Sequence, residues 1–257
     1  MAIKLDKTNL VRNLAVKNKL IPFIEQEIGK GDFVWEYQYE PKKGDDGWHP
    51  SGHCTPSLAE LYHYATAKKV KETISASLYK TFQVGHFWHQ YLQEIILRTE
   101  LAKPEDIERR GTKGWGDIRG VLVEEDGTRD VGYKPYHYAT GSGDIAPCKI
   151  PKYGDFVVDF KTMKYHDFRQ PNIPAWSADK YECQINIYMD FFDLEQGLIV
   201  AICKDSPHDL KEFTYTRNQP LIDAIYTKWK IVSECVTQKI VPPDDEEFPL
   251  PLRGPDA

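Results

Sequence analysis

An acid and a lysine stand two residues apart, Asp159 and Lys161, inside the apolar run "FVVDFKTM". Strand alternation places Val157, Asp159 and Lys161 on one face and Val158 and Phe160 on the other. Charges in such surroundings are costly unless they are paired or hold a metal ion. A second acid, Asp144, precedes them in "GSGDIAP", behind Gly141 and Gly143, glycines that let backbone approach a ligand closely. Two hairpin-connected strands bring Asp144 and Asp159 together. Carboxylates a few ångströms apart repel unless a proton or cation joins them. A hard divalent cation such as Mg²⁺ or Mn²⁺ takes oxygen ligands, keeps waters and is the natural bridge. The alternative for Asp159 and Lys161 is a surface ion pair on an edge strand, which the apolar flanks on both faces disfavour.

Two helical stretches carry further candidates. In "GHFWHQYLQE", His89 lies four residues after Gly85, so both share one helical face. Glycine in mid-helix costs about 1 kcal/mol against alanine, and a close-packed neighbour, such as another backbone or a metal-bound phosphate, would justify it. His86 competes with His89, and Glu94 projects at a nearby angle as a supporting acid. In "CQINIY", Gln184 and Tyr188 stack at i and i+4. Taken alone, that pair reads as a polar patch on a half-buried helix.

Together the pieces resemble a known family. G-x-x-x-H at His89, G-x-x-D at Asp144, D-x-K at Asp159 and Lys161, and Q-x-x-x-Y at Gln184 and Tyr188 follow the chain order of the RecB-like exonucleases of the PD-(D/E)xK nuclease superfamily. That group takes in phage and CRISPR-associated exonucleases, and the likeness spans roughly residues 80 to 195. The resemblance implies a restriction-endonuclease-like α/β fold, a mixed central sheet flanked by helices. It also implies metal held by His89, Asp144 and Asp159, water positioned or activated by Lys161, and Gln184 and Tyr188 lining the catalytic site. The expected activity is metal-dependent exonucleolytic cleavage of DNA in recombination, repair or phage DNA processing. The alternatives are an inactive DNA-binding or assembly module on the same fold and an endonuclease of the superfamily. Some members hold an iron–sulfur cluster on one early and three late cysteines. Here only Cys203 and Cys235 follow Tyr188, so no cluster is expected.

The elements that must position these residues follow from periodicity. Helices are expected over 8–28, broken near Pro22, over 57–70 with Ser57 and Glu60 as a capping box, and over 74–101. In the last, Leu78, Phe82, Trp88, Leu92, Ile95 and Ile96 recur at apolar steps. Strands are expected over 33–39, in a hairpin turning at Asp126-Gly127, over 155–161, and in "GLIVAICK" and "LKEFTYT". A helix over 177–194, with Ser177 as N-cap, and a final one from Pro220 complete a mixed sheet with helices around it. Residues 1–56 form an N-terminal extension, 57–243 the nuclease domain and 244–257 an irregular acidic tail.

The chain has 257 residues and a net charge of -6, which argues against coating nucleic acid by bulk charge. DNA contact must then come from a local patch: Lys149 and Lys152 in a hairpin loop, Lys164 and Arg169 after the strand, and Lys180 on the glutamine helix. Trp176, with Tyr165 and Phe168, offers faces for stacking on unpaired bases. The segment 164–180 reads as a loop over the cleft. No stretch has the length of a membrane span or the apolar core of a signal peptide, so a cytoplasmic protein is expected. The five cysteines read as reduced core thiols. "WHPSGHC" offers His49, His53 and Cys54, a weak zinc set without a fourth ligand, taken as structural or substrate-side.

Overall fold

A computed structural model describes residues 18–30, 47–67, 76–115, 121–124, 127–130, 136–205, 209–243 and 248–256. The first half of the expected N-terminal helix, the strand over 33–39 and the turn residue Asp126 lie outside them.

Seven helices and eight strands run in the order α1 (Ile21–Gly29), α2 (Pro50–His53), α3 (Leu58–Thr66), α4 (Ala76–Arg98), β1 (Arg110–Gly114), β2 (Val121–Glu124), β3 (Gly127–Asp130), β4 (Tyr138–Ser142), β5 (Ile145–Ile150), β6 (Gly154–Met163), α5 (Tyr165–Phe168), α6 (Ala175–Phe192), β7 (Gln196–Cys203), β8 (Leu210–Thr216) and α7 (Gln219–Gln238) among the described residues. The main sheet has the order β5-β6-β7-β8. β6 pairs antiparallel with β5 and parallel with β7, and β8 returns antiparallel. The architecture is therefore α/β, a mixed sheet flanked by helices. β1 pairs with β4, and β2 with β3, as separate two-stranded ribbons.

Period-two alternation in β6 sorts its side chains between two layers. Val158 and Phe160 pack with Leu92, Ile95 and Ile96 of α4 on one face of the sheet. Val157, Ile199 and Ala201 pack with Ile185, Tyr188 and Met189 of α6 on the other. β6 is an inner strand buried on both faces, which rules out the edge-strand alternative. A third cluster joins α3, α7 and the outer side of α6 around Trp48 and Trp229, stacked at 6.5 Å between ring centroids.

Several local expectations need correction. Pro22 stands in the first turn of α1, where its missing N–H costs nothing, and the part of the expected helix over 8–17 lies outside the described residues. The helix over 177–194 begins at Ala175 behind Pro174, and Ser177 lies inside it with its hydroxyl donating to the Pro174 carbonyl. Phe82 is 48% exposed and lines the cleft instead of the core. The predicted capping box on α3 forms as drawn, Glu60 N–H to Ser57 Oγ and Ser57 N–H to Glu60 Oε2. β1, β4 and β5 carry no strong apolar alternation, and their bounds are set by pairing with β4, β1 and β6. The described tail, residues 248–256, is irregular yet docked: Phe248, Leu250 and Leu252 pack on the third cluster, while the N–H groups of Arg253 and Gly254 donate to Glu182 at 2.7 and 2.8 Å.

Candidate active site

β6 delivers the D-x-K pair at the middle of the sheet. Lys161 Nζ lies 2.7 Å from Asp159 Oδ2 and donates to Gln184 Oε1 at 3.0 Å. Gln184 Nε2 in turn donates to the Tyr188 hydroxyl at 3.0 Å. Tyr181, one turn earlier on α6, sets its ring 5.1 Å from the same ammonium. The helical spacing of 181, 184 and 188 puts all three on the face that packs on β6.

Asp144 comes from the other side. A register shift between Ile145 and Cys148 bulges β5 at Pro147, a residue with no N–H for the ladder. Just ahead of that bulge, Asp144 Oδ2 accepts the Phe160 N–H at 2.6 Å. Oδ1 meets His89 Nδ1 at 2.9 Å and accepts from Gln93 Nε2, also at 2.9 Å. Gly141 and Gly143 both lie tight against protein side chains. A Cβ at 141 would stand 3.1 Å from Tyr188 and Pro50, and one at 143 would stand 2.9 Å from Val157. Gly85 has no such neighbour: its Cβ would meet only Thr162 Oγ1, at 3.8 Å, and the residue borders open cleft.

The charges divide unequally. Burial opposes ionisation of Asp144, but His89, the Phe160 N–H and Lys161 outweigh it and hold the carboxyl down at about 2. Burial pushes Asp159 up to about 6, with Lys161 opposing and Asp144 adding to the rise. Burial also works against charge on Lys161 and His89, yet the neighbouring carboxylates raise both. An ionised Asp144 only accepts, so His89 Nδ1 carries the proton of that bond.

A cleft of about 900 Å³ opens over this group, lined by His89, Asp144, Asp159, Lys161, Gln184 and Tyr188 together. All six catalytic and metal candidates thus converge. Among the described residues no three His, Cys, Asp or Glu side chains already form a metal-ready group; His89 and Asp144 bond each other, and Asp159 faces Lys161. The donor set nevertheless fits a hard divalent cation. Two carboxylates and an imidazole border one cleft, and Asp159 Oδ2 is buried without an aligned hydrogen bond.

None of the six residues expected to touch DNA lines the cleft. Lys149 sits exposed on β5, not in the hairpin loop, while Lys152 is in the turn that follows. Lys164 and Arg169 flank α5, and Lys180 and Trp176, the latter 71% exposed, stand in the first turns of α6. The segment 164–180 does not arch over the cleft, because Phe168 and Ile173 anchor it in the core beneath α6 and Lys211 donates to the Phe168 and Gln170 carbonyls. The positive groups at the cleft are instead Arg110 and Lys204, with His49 and His86 nearby. Trp48 bridges to Ala139 of β4 and so carries His49 to the rim. His53 turns inward, its Nδ1 accepting the His49 N–H at 2.8 Å, and Cys54 is buried in the third cluster, so the three do not converge as a zinc set. Glu94 does not line the cleft, whereas Glu108 does.

No family model matches the chain, and no curated protein matches it. Solved structures of similar shape include that of SSO0001, 14% identical, with 85% of each chain covered and a TM-score of 0.44. A phage-related exonuclease from Haemophilus somnus 129PT is 14% identical over 71% of this chain and 80% of its own, with a TM-score of 0.40. An alkaline exonuclease, LHK-Exo, from Laribacter hongkongensis is 10% identical over 76% of this chain and 89% of its own, with a TM-score of 0.34.

Proposed function

We propose that this chain is a divalent-metal-dependent deoxyribonuclease that hydrolyses phosphodiester bonds from a DNA end. The observation that carries the reading is the meeting of Asp144, Asp159 and Lys161 in one cleft, backed by Gln184 and Tyr188. The antiparallel pairing of β5 with β6 sets the two acids side by side, and buried carboxylates whose ionisation is pushed in opposite directions beside a lysine mark a candidate catalytic site.

Asp144 and Asp159, with His89, would hold Mg²⁺ or Mn²⁺, whose positive charge offsets that of the phosphate and makes water easier to deprotonate. Lys161 enters as an ammonium fixed at two points, by Asp159 and Gln184, which suits it to orient the attacking water or a phosphate oxygen. Tyr188 sets Gln184 through its hydroxyl, and burial keeps that phenol protonated. Water attacks phosphorus, one P–O bond breaks, and the leaving oxygen takes up a proton. Arg110 and Lys204 at the cleft would neutralise flanking phosphates. A setting in recombination, repair or phage DNA processing accords with this chemistry, with DNA as the partner.

End-labelled linear DNA and a covalently closed circle, each incubated with Mg²⁺ or Mn²⁺, test the proposal. Loss of linear DNA alone supports an exonuclease, and cutting of the circle makes the enzyme an endonuclease of the same chemistry. No cleavage of either by metal-loaded, folded protein removes the enzymatic reading.

A further inference from the structure

Asp144 is held by groups outside the recognised motifs. Gln93, buried at 5% exposure one turn beyond His89 on α4, donates from Nε2 to Asp144 Oδ1 at 2.9 Å and to Glu108 Oε1 at 3.1 Å. An amide nitrogen has two hydrogens and nothing with which to accept, so both are committed to carboxylates. Turning the amide over would set its oxygen against two acids, which fixes its orientation. Glu108 is itself fixed. Ser142 Oγ donates to its Oε2 at 2.9 Å, and its own N–H donates to the Asp144 carbonyl at 3.0 Å. Its backbone is left-handed, at φ 49°, an arrangement that a non-glycine residue adopts only when its surroundings impose it.

We infer that Gln93 is a positioning residue: braced by Glu108 and Ser142, it sets the rotation of the Asp144 carboxylate toward the cleft. What Asp144 does there rests on the nuclease reading; the hydrogen-bond chain does not. Asp144 Oδ2 is committed to the sheet through Phe160 N–H, so its rotation is decided by what meets Oδ1, where Gln93 and His89 share the load. Removing a group that orients a metal-binding side chain characteristically lowers metal affinity or activity about 10- to 100-fold. Gln93 also stands between two acids of one cleft, a place where a carboxylate would repel both.

The test uses the full chain carrying Gln93→Met, which keeps length and removes both donors, and Gln93→Glu, which adds a charge. Ser142→Ala, at a half-buried position, removes the brace from behind and serves should either core variant fail to fold. Each variant is compared with wild type by Mn²⁺ calorimetry, by kcat and KM on DNA, and by a metal-free crystal structure. The expected result is Mn²⁺ affinity about 10- to 100-fold weaker in Gln93→Met, with kcat reduced and the KM for DNA unchanged. Gln93→Glu should be worse, Ser142→Ala milder in the same direction, and the Asp144 carboxylate turned from its wild-type rotamer. Wild-type Mn²⁺ affinity in folded Gln93→Met, or an unmoved Asp144, overturns the inference. A wild type that neither binds Mn²⁺ nor cuts DNA defeats the nuclease reading instead, and the rotamer of Asp144 in metal-free Gln93→Met still decides the positioning claim.

Discussion

Lys161→Met separates the structural and chemical roles of the D-x-K pair. The side chain of Lys161 is 15% exposed and that of Asp159 5%. Methionine preserves the length of the stem and removes the charge. Asp159 then stays behind as a buried carboxylate whose closest counter-charge is gone. Removing one member of a buried pair costs about 3–5 kcal/mol, and the open cleft beside Lys161 favours the lower end, ~3 kcal/mol. With a urea slope of about 3 kcal/mol per molar for a chain of this size, the midpoint should drop by roughly 1 M. The loss must also depend on pH. Asp159 is already pushed up to about 6 by burial with Lys161 present, and higher without it. A raised carboxyl contributes stability that is present below its unfolded value and disappears as pH rises through the folded one. The variant should therefore be closer to wild type at pH 6 than at pH 8. The double variant Asp159→Asn/Lys161→Met, with neither charge, should recover the stability of metal-free wild type or exceed it. Equilibrium urea unfolding at both pH values, without metal, reads all of this. A loss under about 0.5 kcal/mol at pH 8, on the scale of an exposed pair, or a loss equal at both pH values, would refute the buried pair and the electrostatics built on it.

Other consequences are independent of that pair. His53 is lowered to about 4, first by burial and then by His49, so its contribution is present above the ordinary value near 6.5 and is lost as pH falls through 4. The stability difference between wild type and His53→Gln should thus shift by up to ~3 kcal/mol between pH 7 and pH 4, measured by urea unfolding; a flat difference contradicts the buried neutral imidazole. Glu212 accepts the N–H groups of Lys19 and Leu20 at 2.6 and 2.7 Å, and that of Ile21, capping α1 from β8. Glu212→Ala should cost about 2 kcal/mol and leave kcat unchanged. Arg110→Ala and Lys204→Ala should each raise the KM for DNA and reduce the salt slope of binding by about one unit, whereas Lys149→Ala, remote from the cleft, should change them less; the reverse order would return DNA binding to the outer surface. Purified protein should carry no visible iron–sulfur absorbance, because Cys148, Cys54 with Cys183, and Cys203 belong to three separate apolar clusters; stoichiometric iron would overturn that expectation.

What could be read from the residues follows their periodicity. β6 declares itself because inner strands are apolar on both sides, so two charges among Val157, Val158 and Phe160 stand out. Gln184 and Tyr188 are legible for the same reason, a polar pair on a helix whose other faces are buried. Gln93 was within reach: at 100° per residue it lies about 40° around α4 from His89, while Glu94 lies about 140° away. Glu94 therefore does not project at an angle near that of His89, and it does not line the cleft. Glu108 and Arg110 lie in a stretch of short turns and glycines with no period, so only tertiary placement reveals them. Lys204 is legible only from the parallel pairing of β6 with β7: it follows Cys203, which ends β7 opposite Met163, the last residue of β6. Lys149, Lys152, Lys164 and Lys180 are near Asp144, Asp159 and Gln184 in sequence, but strand and helix directions carry them away from the cleft.

The most direct measurement is cleavage of end-labelled DNA by wild type, Asp144→Asn and Lys161→Met, each confirmed folded, with and without Mn²⁺. Metal-dependent product from wild type, and none from either variant, is the predicted result. Product from wild type without any divalent ion, or turnover in Lys161→Met equal to wild type, would contradict the account.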